Sequence, residues 1–139
     1  MSEDEIYTLE NLESYSPTVQ RIDTTLTAIA AIHILVGIIS FIIAYIIFSV
    51  NIYPGPIVIS IILFIEGVTL IIMTPLYFIL AWAIWKRAPW AWKVALIVNS
   101  IFLLLNLVSG VILPALLNIV LLFALYSPDV RQALAFMDT

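Results

Sequence analysis

Between Thr24 and Trp85 the chain carries one charged side chain, Glu66, and the run is interrupted only by the uncharged turn segment Asn51-Ile-Tyr-Pro-Gly-Pro56. No water-soluble fold can be built around such a run. A helix at an aqueous surface needs a polar face opposite its apolar one, and here every face is apolar. About 20 apolar residues are what a helix needs to cross a hydrocarbon core of about 30 Å. The composition agrees: 64% of residues are hydrophobic, 10% are charged and the mean hydropathy is +1.19, whereas an average soluble domain is about 25% charged. The expected fold class is all-α: an integral membrane bundle of four transmembrane helices in a single domain.

The interruptions place the spans. Residues 1–23 are polar and acidic, with Glu3, Asp4, Glu5, Glu10 and Glu13. They are expected to form a cytoplasmic arm in which Pro17 breaks any helix; the spacing of Ile6, Leu9 and Leu12 leaves a short interfacial helix open. The first span is expected over 24–50 and the second over 57–85, with Pro75 kinking it. As one helix, residues 94–126 would be about 50 Å long. Two short spans, 94–110 and 112–126, turning near Ser109-Gly110 and Pro114, fit better. The tail, 127–139, opens with Ser127-Pro128-Asp129, an N-cap, a first-turn proline and an acid at the positive helix end. Val130, Leu134 and Met137 then recur at helical spacing beside Ala133 and Phe136, which predicts a short interfacial helix lying on the membrane.

Orientation follows from the basic residues. Arg21, Lys86, Arg87, Lys93 and Arg131 all fall on one side of a four-span bundle, and the loops around 51–56 and 110–114 carry none. The positive-inside rule then puts both termini in the cytoplasm, with the plasma membrane as the expected location. Trp82, Trp85, Trp90, Trp92 and Tyr126 are expected at the inner headgroup level, and Phe48 and Tyr53 at the outer.

Within the spans, the polar residues form patterns. Ala30, His33, Gly37, Ser40 and Ala44 make a seam of mostly small residues on the first helix, spaced alternately three and four apart. Ala95, Asn99, Phe102, Asn106 and Ser109 make a similar seam on the third, and Asn118 with Ala115 lies on the fourth. At 1.5 Å per residue, His33 comes out about 15–18 Å from the inner end, with Thr74 similar, Asn106 about 20 Å and Asn118 about 12 Å. Glu66, about 28 Å deep on the same arithmetic, is too far out to pair directly with His33. An ionisable residue in a membrane is a functional candidate. His33 can serve as a neutral bridge between helices, in proton transfer, or toward a metal or cofactor. Glu66 can sit in outer headgroups, donate as a neutral acid, or face a partner or a cation. The asparagines suit helix packing.

Other chemistry is excluded or unsupported. The absence of cysteine removes disulfides, thiolate catalysis and most zinc or iron–sulfur sites. A net charge of −4 gives no nucleic-acid footprint. The acidic first residues and the long first apolar stretch do not suggest a cleavable leader, and Ser2 and the lack of cysteine leave no lipidation signal. One histidine with no ligand at three or four residues' spacing is poor support for a metal. No grouping of nucleophile, base and acid, and no phosphate loop, is present. Neither an enzyme nor a cofactor is expected.

The basic loop Trp85-Lys-Arg-Ala-Pro-Trp-Ala-Trp-Lys93, the apolar hairpin after it and the closing Tyr126-Ser-Pro-Asp-Val-Arg131 resemble small uncharacterised four-helix membrane proteins of archaea and bacteria. The resemblance covers roughly the last 60 residues. It implies a fold and a prokaryotic source, and no activity. Two functions are therefore expected to compete. One is an accessory or structural subunit of a larger membrane complex, or a self-associating protein, with lipid and other membrane subunits or its own copies as partners. The other is an oligomeric proton or ion channel using His33, Glu66 and the asparagines, with Pro75 as a hinge. A binder of lipid or quinone between helices has no residue signature.

Overall fold

The computed structural model describes residues 2–5, 17–50 and 55–135. Its elements are α1 (Pro17–Val50), α2 (Ile57–Trp85), α3 (Ala91–Ser109), α4 (Ile112–Leu125) and α5 (Pro128–Ala135). No strand occurs among the described residues. The expected features at Ile6, Leu9, Leu12, Tyr53, Phe136 and Met137 lie outside them. Three helices are long and apolar enough to cross a membrane, or four if α4 and α5, bent by 74° at their junction, count as one span.

One boundary differs from the sequence reading. Residues 17–23, read as part of the polar arm, are helical and belong to α1. Pro17 stands at the first described position of α1, where a missing N–H is tolerated. α2 continues as one helix through Pro75, which is exposed.

The helices alternate in direction around a ring, with α1 packed on α2, α2 on α3, α3 on α4 and α4 back on α1. The α1–α2 pair is the closest. A Cβ placed on Gly37 would stand 3.3 Å from the Tyr77 Cβ, and one on Gly67 would stand 2.9 Å from the Phe48 ring. Glycine lets the two backbones approach where lipid gives no hydrophobic push between helices. The whole α1 seam, Ala30, His33, Gly37, Ser40 and Ala44, is buried inside the protomer. So is the facing stripe of α2, Glu66, Leu70, Met73, Tyr77, Leu80 and Ile84, spaced alternately four and three.

One end of the bundle gathers every basic residue. Arg87 pairs with Asp23, Arg21 pairs with Asp129 at 2.9 Å, and Trp92 Nε1–H donates to the Leu125 carbonyl at 2.9 Å. These contacts align the helix ends there, and helix lengths then decide how far each reaches. At 1.5 Å per residue α2 is about 43 Å long, α3 about 28 Å and α4 about 21 Å. The α3–α4 hairpin therefore stops roughly 15 Å short of the far end of α2. Its tip is Gly110, at φ 75, with Val111 N–H donating to the Asn106 carbonyl at 2.9 Å and Gly110 N–H to the Leu107 carbonyl at 3.3 Å. This is the hydrogen-bond pattern of a left-handed helix cap. Gly110→Ala is expected to cost about 1 kcal/mol, read as a lowered midpoint of unfolding in detergent.

The sequence reading lays the last helix on the membrane. The fold turns it under the bundle, against α1, α3 and α4. Ser127 Oγ caps it by accepting the Val130 N–H at 3.4 Å, and Val130 and Leu134 are fully buried.

Candidate functional site

The bundle interior carries a polar layer about halfway along α1. His33 is fully buried. Its Nδ1 lies 2.9 Å from the Ile29 carbonyl, and its Nε2 lies 3.1 Å from Asn99 Nδ2. The carbonyl can only accept, so Nδ1 carries the proton and Nε2 accepts from the Asn99 amide. The other Asn99 N–H donates to the Ala95 carbonyl at 2.8 Å. His33 on α1 and Asn99 on α3 thus join one diagonal of the ring as neutral partners. The neutral bridge is one of the roles open to His33 from the sequence, and this geometry suits it.

Tyr77 spans the other diagonal. It is fully buried on α2, and its hydroxyl donates to Asn118 Oδ1 on α4 at 2.6 Å. Its ring centroid lies 6.0 Å from that of His33 and 5.5 Å from that of Phe102. The two bridges therefore meet through the Tyr77 ring. A hydrogen bond between membrane helices contributes about 0.6 kcal/mol on average and up to about 1.7, so this layer fixes register more than it adds stability. Sequence reasoning missed Tyr77. The available signal was its place eleven residues along the α2 stripe from Glu66.

Asn106 and Ser40 are buried as expected but stand apart from this layer. Both Asn106 amide atoms and Ser40 Oγ have no hydrogen-bond partner, and neither do Asn99 Oδ1 and Asn118 Nδ2. Glu66 is 7% exposed on the core face of α2 and has no ion-pair or hydrogen-bond partner among the described residues. Nor does it meet His33, as the depth arithmetic anticipated. Among the described residues no group of three or more histidines or acids could hold a metal ion.

The basic end divides the expected anchors in two. Trp82, Trp85, Trp90 and Tyr126 are exposed, as headgroup anchors require, and Lys86 Nζ lies 5.3 Å from the Trp85 ring centroid. Lys93 is exposed in the first turn of α3. Trp92 departs from the expectation. It is half-buried, its N–H satisfies the carbonyl at the end of α4, and Arg131 lies over its ring at 5.6 Å. Its indole locks the α4–α5 corner, because the last carbonyls of a helix need donors from elsewhere.

A second feature opens on the lipid side of α1 and α2. A groove of about 420 Å³ is lined by Thr27, Ala30, Ala31, Ile34, Phe78, Ala81, Trp82 and Trp85. Small residues make its floor, and aromatic and branched side chains make its walls. The α1 seam contributes only Ala30 to it, and Thr27 and Ala31 lie one position off the seam toward lipid. Compared with known protein families, curated proteins and solved structures, the chain has no match.

Proposed function

We propose that this chain is a small accessory subunit of a larger membrane complex, and that a transmembrane helix of another subunit docks in the α1–α2 groove. The observation that carries the reading is the groove itself. In lipid, helices associate where small side chains let backbones approach closely. Thr27, Ala30, Ala31 and Ala81 offer that floor, whereas Gly37, Ser40 and Ala44 of the α1 seam are buried within the protomer. The tryptophans on the groove wall set it at the basic end. By the positive-inside rule this end is cytoplasmic, with both termini inside.

Filling the groove tests the reading. Ala31 is exposed, so Ala31→Trp can occupy the groove without entering the core. The variant is expected to fold normally and to lose most of its co-purifying partner when extracted in mild detergent. Unchanged co-purification would refute the docking site. The cysteine-free chain also allows a direct check of orientation. A cysteine at Gly55 should react with an impermeant thiol reagent in intact cells, and one at Pro89 only after permeabilisation. The reverse pattern would invert the topology.

The alternative, an ion channel formed between copies, needs polar side chains on the lipid-facing surface. His33, Glu66 and the three asparagines are all turned into the core of the single chain, which favours the accessory reading.

A further inference from the structure

α1 and α3 both run away from the basic end, and His33 meets Asn99 across the ring. A step of seven residues on each helix returns to nearly the same face, about 10 Å further along. That step leads to Ser40 on α1 and Asn106 on α3. The layer above the His33–Asn99 bridge therefore places a hydroxyl and a carboxamide on the same diagonal. Ser40 and Asn106 are each 1% exposed, and none of their side-chain polar atoms has a partner in the protein. Buried polar groups are rarely left so, and in polar cavities the partner is ordered water making two to four hydrogen bonds.

Room and a route exist beside Asn106. A cavity of about 100 Å³ is lined by Asn106, Leu107, Gly110, Ile112, Ala115, Leu116 and Ile119. A water occupies about 30 Å³ in the liquid, so the space has room for a few beside the Asn106 amide. Gly110 is the hairpin tip, four residues beyond Asn106, or about 6 Å along the axis. The shortness of α3 and α4 brings that tip, and the medium around it, down toward the polar layer. Towards the basic end the core is closed instead. Leu26, Ile29, Ile84, Leu121, Leu125 and Leu134 are at most 3% exposed.

We infer that ordered water binds between Ser40 and Asn106, reached through the Asn106 cavity from the end opposite the basic cluster, and that the apolar core between the His33 layer and the basic end is dry. The interior is thus a one-sided hydrated recess. It brings water within about two helical turns of His33 and goes beyond the docking role of the groove.

Water-edited solid-state NMR on the ¹⁵N-labelled protein in bilayers tests this without any substitution. The Asn106 side-chain amide is expected to receive water magnetisation at the short mixing times that light the Gly110 amide, and the amide of the fully buried Ala95 to remain dark at those times. An Asn106 amide as dark as that of Ala95 would overturn the site. Equal signals at both would overturn its one-sidedness. A thermal scan of Asn106→Leu gives an independent reading. Loss of a water-bound amide lowers Tm, whereas a rise in Tm would mean that the wild-type amide is buried dry, and would overturn the proposal.

Discussion

Tyr77→Ala is expected to lower the unfolding free energy by about 4 kcal/mol, within the range for removing a large buried ring. The ring is fully buried and contacts both His33 and Phe102. Lipid cannot collapse into the centre of the bundle, so truncation forfeits the dispersion contacts of the whole side chain. It also strips Asn118 Oδ1 of its donor. Tyr77→Phe separates the two effects. It keeps the ring, loses only the hydroxyl, and should cost about 1 kcal/mol. Reversible unfolding in bicelles or mixed micelles measures both. A cost for the alanine variant no larger than that for the phenylalanine variant would mean that the two diagonals do not meet through this ring.

Gly37→Leu should cost about 3 kcal/mol, the upper part of the range for overpacking a filled interior. A methyl group alone would already stand 3.3 Å from Tyr77 Cβ and 3.5 Å from the Phe78 ring. The remainder of a leucine side chain can fit only if α1 and α2 separate, and that would disturb the Thr74 hydroxyl, which donates to the Gly37 carbonyl at 3.4 Å. The prediction concerns the fold of the single chain. The same seam, read from sequence alone, served equally well as a surface for association. Its burial inside the protomer moves the test of assembly to Ala31, so Gly37→Leu should lower stability where Ala31→Trp lowers only partner recovery.

Much of this architecture was legible in the residues, because length and hydropathy dominate when the solvent is lipid. The spans, the short α3–α4 hairpin with its turn at Ser109-Gly110, and the Ser127 cap each follow from one local rule. The burial of His33, Asn99, Asn106 and Asn118 follows from heptad spacing on single helices. What spacing could not supply was pairing. Which helix faces which across the ring depends on how four seams interlock, so the His33–Asn99 and Tyr77–Asn118 diagonals were not readable. Tyr77 in particular looks like any aromatic in an apolar run until its partner on α4 is known. Trp92 misled for a related reason. An indole near a basic loop suits a headgroup anchor, and only the turn of α5 beneath the bundle gives its N–H a carbonyl to meet. Residues 17–23 were read as part of the arm because a helix start cannot be fixed from a tail of mixed polarity.

The docking claim is tested most directly by extracting the untagged protein from its native membrane in mild detergent and determining the mass and composition of the particle that carries it. The account predicts a particle larger than this 139-residue chain, containing at least one other membrane protein in fixed stoichiometry. A bare monomer, or an assembly made only of this chain, would contradict it.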